Sequence, residues 1–127
     1  MWVRPNFDAE LDEFARISDE LNVSLDFLRK KFDTATMRKL SDEDWHKLEN
    51  TDSYGISLRR AKKLAKIYDR DIKTIINAFH ENDTLPAPII LELPNGELTL
   101  VGGNTRLMVA SALKHVPTVL WMKYNDG

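Results

Sequence analysis

The run Gly102-Gly103-Asn104-Thr105-Arg106 contains the residue types that an anion site needs. Glycines let the backbone approach a ligand closely, the first N–H groups of a following helix are unpaired, and the helix dipole favours negative charge there. Asn104 suits the N-cap, and Arg106 stands within the first turn, where its forked guanidinium matches a phosphate better than a lysine point charge. The chemistry implied is phosphate binding. A plainer reading of the same residues is a sharp turn followed by a cap, since short glycine signatures also match by chance.

A reaction at that loop requires a group to move protons or hold a metal. Glu92 and Glu97 flank a turn just before it, and either suits a general base or a magnesium ligand. Strand alternation puts Glu92 on the face opposite Leu91 and Leu93, which also fits simple solvent exposure. His115 falls after the loop helix, at the end away from the anion loop, as a surface or C-terminal cap residue. His46 and His80 lack metal spacing to any other donor, so no protein-held metal is expected. Cysteine is absent, which excludes disulfides, thiolate metal sites and thiol catalysis.

Net charge is −2 over 127 residues and names no partner, but its distribution is uneven. Residues 1–50 hold 12 acidic and 8 basic side chains, residues 51–83 hold 5 and 7, and residues 84–127 hold 3 of each. The only basic surface the pattern suggests is the row Arg59, Arg60, Lys62, Lys63 and Lys66, extended by Lys73. With 43% hydrophobic and 30% charged residues, the chain reads as one soluble domain. No stretch approaches the roughly 18 apolar residues of a membrane span. The N-terminus lacks the basic start and apolar run of a secretory signal, so a cytoplasmic protein with no membrane contact is expected.

The elements that must position these groups follow from periodicity. In residues 1–50, Leu11, Phe14, Ala15, Ile17 and Leu21, then Leu25, Leu28 and Phe32, recur at helical spacing, with Ser24 and Ser41 as N-caps. Two further helices carry apolar stripes at Ala61, Leu64, Ala65, Tyr68 and at Ile72, Ile75, Ile76, Phe79. From Leu85 the pattern turns extended. Ile89–Leu93 and Leu98–Val101 are expected to pair antiparallel around Asn95-Gly96, a pair that favours φ > 0 in tight turns. A helix with Leu107, Ala110 and Leu113 on its buried side then runs to about Lys114, and Pro117–Met122 is the last strand.

This order resembles the ParB/sulfiredoxin superfamily over about 50 residues. The resemblance rests on Ile76–Asn82, Pro88-Ile89-Ile90-Leu91, Asn95-Gly96, Leu100-Val101-Gly102-Gly103-Asn104-Thr105-Arg106-Leu107-Met108-Val109-Ala110, Leu113, and Val116-Pro117-Thr118-Val119. It implies a nucleotide-handling fold in which the glycine loop and following helix hold phosphates. Its relatives include CTP-switch partition proteins, sulfiredoxins, free-serine kinases and nucleases, and small stand-alone versions resemble phage proteins. The "GGCHR" loop of sulfiredoxins is matched here by Asn104 and Thr105 in place of its cysteine and histidine, so sulfiredoxin activity is not expected. Arg106 alone keeps the phosphate-contact role. The "GERR" pattern of partition proteins is absent, and no room for their further domains follows Tyr124.

Residues 61–79 also look like a helix-turn-helix, with Arg59–Lys66 on DNA phosphates and Lys73, Thr74 and Asn77 towards base edges. Asp69 and Arg70 depart from the usual turn glycine and buried turn residue. The expected fold is therefore α+β: an N-terminal helical lobe (1–50), then a small mixed sheet with a helix after the Gly-Gly loop (51–127), forming one integrated domain. The expected function is binding of a nucleotide or nucleic-acid phosphate at Gly102–Arg106, with magnesium accompanying a nucleoside triphosphate and NTPase-like or nuclease-like hydrolysis left open. The alternative is a non-enzymatic DNA-binding protein, or an adaptor that meets a protein partner through Trp2, Phe7 and Trp45.

Overall fold

The computed structural model describes residues 1–125. Asp126 and Gly127, the end of the expected 51–127 unit, lie outside the described residues. Six α-helices surround a mixed four-stranded sheet: α1 Leu11–Leu21, α2 Leu25–Asp33, α3 Asp42–Lys47, α4 Leu58–Ile67, α5 Ile72–His80 and α6 Asn104–Ala112. The strands are β1 Trp2–Val3, β2 Thr36–Lys39, β3 Leu85–Pro86, β4 Ile89–Glu92, β5 Leu98–Gly102 and β6 Thr118–Lys123. No helix among the described residues is long and apolar enough to cross a membrane.

The sheet order is β2-β6-β4-β5, with β6 parallel to β4 and the other two pairings antiparallel. A separate short parallel pair, β1 with β3, ties the N-terminus to the segment just before β4. Both faces of the sheet are covered at its centre, which is why the middle strands β4 and β6 carry the continuous apolar runs Ile89-Ile90-Leu91 and Val119-Leu120-Trp121-Met122, while β2 at one edge is largely exposed. Ile89, Leu91, Val101, Leu120 and Met122 face α1 and α2, where they pack on Phe14, Ile17, Leu28 and Phe32. Ile90, Leu98, Leu100, Val119 and Trp121 face the other way, against Ala61 and Ala65 of α4, Phe79 of α5 and Leu107 of α6. Each such buried Leu, Ile or Phe contributes about 1.5–3 kcal/mol.

The helix starts follow the sequence logic closely. Ser24 and Ser41 accept from the backbone N–H of Phe27 and Asp44, as expected, and Ser57 and Asp71 do the same for α4 and α5. The expected β4–β5 hairpin turns at Pro94-Asn95-Gly96, with Gly96 at positive φ (87°). Two expectations are corrected. The strand β2, in a region read as helical, pairs with β6 along its length. Tyr68 does not bury its ring with the α4 stripe; it is 69% exposed.

Candidate functional site

A β-bulge between Ile89 and Ile90 of β4, opposite Leu100–Gly102 of β5, precedes the glycine loop. Such bulges bend a strand and re-aim the side chains beside them. Gly103 then takes φ +100°, and a Cβ there would lie 2.7 Å from the Pro88 Cα, so both its conformation and its packing require glycine. The N-cap of α6 is Gly103 and not Asn104, which is the first helical residue, and no side chain caps the helix. Asn104 instead uses its side-chain carbonyl to accept from the Thr51 hydroxyl. The leading N–H groups of α6 are therefore left without a side-chain partner.

The loop opens into a cleft of about 510 Å³. One wall is the start of α1, with Glu10, Glu13 and Arg16; the other is the α4–α5 connection, with Tyr68, Arg70 and Asp71. Gly102, Gly103, Asn104, Thr105 and Arg106, all five residues expected to form the anion loop, line its base together with Asn50 and Met108. The volume falls in the range of small-molecule sites. A second hollow of about 600 Å³ carries Lys114 and His115, but the helix start beside it is already capped by Ser57.

Arg106 is held tightly. Its Nη1 donates to the Pro86 carbonyl, and its Nη2 lies 3.1 Å from Oε1 of Glu10, with the two side chains 12% and 15% exposed. Arg16 anchors the α1 wall by donating from Nη2 to the Val101 carbonyl at 2.9 Å and pairs with Glu13 and Glu20. Arg70, which the sequence offered only as a mismatch to a helix-turn-helix, is exposed at the cleft with no carboxylate in ion-pairing distance among the described residues. Asp71 caps α5, and its carboxyl is held below the ordinary value of 3.8 mainly by the hydrogen bond from the Thr74 hydroxyl, then by the Thr74 N–H. Asn50 pairs with both backbone groups of Leu100, donating to its carbonyl and accepting from its N–H at 2.8 Å each.

Glu92 and Glu97 sit elsewhere. The register sets Glu92 opposite Leu98 and Ile89 opposite Gly102, so both carboxylates lie at the hairpin end remote from the loop. Glu92 is half-buried and accepts from the Trp121 indole N–H at 3.3 Å, while Glu97 is exposed beside the turn. No group of three or more His, Asp or Glu among the described residues is placed to hold a metal. Arg59, Arg60, Lys62, Lys63 and Lys66 on α4 and Lys73 on α5 are all exposed. Phe7 and Trp45 are core residues, and Trp2 packs edge-on against Phe79, so this trio does not form an exposed aromatic patch. No protein family, curated protein or solved structure matches the chain.

Proposed function

We propose that this chain binds a phosphorylated ligand, a nucleotide or the phosphate of a nucleic acid, in the cleft at Gly102–Arg106. The observation that carries the reading is the uncapped start of α6 opening, through a glycine that tolerates no Cβ, into a cleft that holds an unpaired arginine. First-turn N–H groups and Arg70 line the same cleft, and the exposed Tyr68 ring on the Arg70 wall offers a face for a base. The resemblance to the ParB/sulfiredoxin superfamily supports the same assignment, because it puts the phosphate on these five residues. A magnesium ion would arrive with the ligand's phosphates. The groups in the cleft supply binding; Glu92 and Glu97, remote from it, supply no base for turnover there.

A thermal-shift screen with nucleoside mono-, di- and triphosphates, with and without magnesium, tests this reading, since a ligand that prefers the native state raises Tm. The wild type is expected to shift, and Arg70→Ala, which removes an exposed side chain without touching the core, to shift less. No shift with any nucleotide, or equal shifts in both proteins, would overturn it.

A second reading, nucleic-acid binding through α4 and α5, is favoured by one observation. Arg59, Arg60, Lys62, Lys63, Lys66, Arg70 and Lys73 have no carboxylate in ion-pairing distance among the described residues, whereas Arg16, Arg29, Lys30, Lys47 and Arg106 each have at least one. Asp69 takes φ +53° and so makes the turn that glycine usually makes between such helices. Charge reversal of Lys62, Lys63 and Lys66 should abolish binding of an oligonucleotide and flatten its salt dependence. Unchanged binding would remove this reading.

A further inference from the structure

We propose that Glu10 is a built-in anion occupying the phosphate slot, so that a ligand binds only by displacing this carboxylate from Arg106. The inference rests on the reading of Gly102–Arg106 as an anion site and describes how that site is controlled. Oε1 of Glu10 lies 3.1 Å from Nη2 of Arg106. Its Oε2 lies against the other component of the loop, 3.3 Å from where a Cβ on Gly102 would stand. The guanidinium in turn closes on Gly103, 3.2 Å from the equivalent point there. The carboxylate thus fills the space between glycine pair and arginine that a phosphate oxygen would need.

The contact is built to open. Among the described residues Arg106 is the only hydrogen-bond donor to the Glu10 carboxylate, whereas Arg106 is also fixed from its other arm by the Pro86 carbonyl. The arginine therefore stays in place when the carboxylate leaves. Glu10 sits at the junction between the short 3-10 turn Asp8–Glu10 and α1, and it caps no helix with its side chain. Rotating it towards the cleft mouth leaves the core anchors Phe7 and Phe14 where they are. Glu13, the next carboxylate on that wall, is already neutralised by Arg16 and does not compete for Arg106. A phosphate offers the same guanidinium a charge-assisted pair with more negative charge than a carboxylate, which is the source of the differential affinity. While the plug is in place only a fraction of molecules is competent, and apparent affinity falls by that fraction.

The test is calorimetric titration of inorganic pyrophosphate into the full chain. Glu10→Gln weakens the plug by removing its charge at constant shape, and Glu10→Asp withdraws the carboxylate by one methylene while keeping the charge. Each is expected to bind pyrophosphate about tenfold more tightly than wild type, and Arg106→Gln in the Glu10→Gln background should erase the gain. Far-UV circular dichroism checks that each variant is folded, and either folded variant suffices. Arg106-dependent binding by the wild type with no gain in the Glu10 variants overturns the plug and leaves the anion site standing. Absence of binding in wild type and variants alike overturns both.

Discussion

The carboxylate of Glu10 and the guanidinium of Arg106, 96 positions apart in the chain, meet at 3.1 Å in a pair that is largely sealed from solvent. The pair joins the start of α1 to the start of α6, and so holds one wall of the cleft to its base. Removing one partner strands the other charge in a poorly solvated place. Arg106→Ala should therefore lower unfolding free energy by about 3 kcal/mol in urea titrations, with much of the loss recovered in the Glu10→Ala/Arg106→Ala double variant. Strictly additive single-variant losses would show that the pair is not coupled.

Asn50 acts as a one-residue strand along the outer edge of β5, next to the Leu48–Leu98 bridge, since its carboxamide satisfies both backbone groups of Leu100. Asn50→Ala leaves a donor and an acceptor without those partners and should cost about 1–3 kcal/mol. Native-state hydrogen exchange at the Leu100 amide is the local readout: protection should fall there before it falls on β4.

Gly55 and Gly103 both have positive φ, but only Gly103 is also crowded, by Pro88. Gly55→Ala meets open space and should lose about 1 kcal/mol from backbone strain alone. Gly103→Ala adds the collision and should lose more than about 2 kcal/mol. Equal losses at the two positions would mean that the loop yields easily, contrary to a rigid anion cradle.

The α5 cap predicts an acid dependence. Asp71 titrates below its ordinary value of 3.8 in the folded chain. A lowered folded-state value means that the carboxylate contributes stability above 3.8, and that this contribution is lost as pH falls through the interval below it. Asp71→Asn, which caps without titrating, should differ from wild type at pH 6, and the pH-dependent part of that difference should shrink as pH falls below 3.8. Parallel stability curves for the two proteins across that range would refute the assignment.

Much of the framework was legible because it rests on local pattern. Ser24 and Ser41, the stripes of α4 and α5, the β4–β5 hairpin and the strand at the C-terminal end all declare themselves within a few residues. The features that could not be read depend on distant partners. Thr36-Met37-Arg38-Lys39 has no apolar alternation of its own; it becomes a strand because β6 offers an edge, with Arg38 laid over the Trp121 ring at 4.2 Å. Asn104 looked like a cap because Asn is a good one, yet Gly103 reaches the left-handed conformation first and takes that position. The five loop residues were named from sequence, but their cleft-mates Glu10, Arg16, Asn50 and Arg70 come from separate segments that only the folded sheet brings together. The hairpin carboxylates Glu92 and Glu97 drew attention by proximity along the chain, while the antiparallel register carries them away from the loop.

Anion binding at the start of α6 underlies the whole functional reading, and amide chemical shifts report on it residue by residue. In a 15N-labelled sample titrated with ATP and magnesium, saturable shifts are expected at Gly103, Asn104, Thr105 and Arg106, with Glu10 and Arg70 responding alongside. Shifts confined to α4 and α5 would transfer the function to the cationic helices, and a spectrum unmoved at Gly103–Arg106 by ATP, pyrophosphate or oligonucleotide would contradict an anion site there.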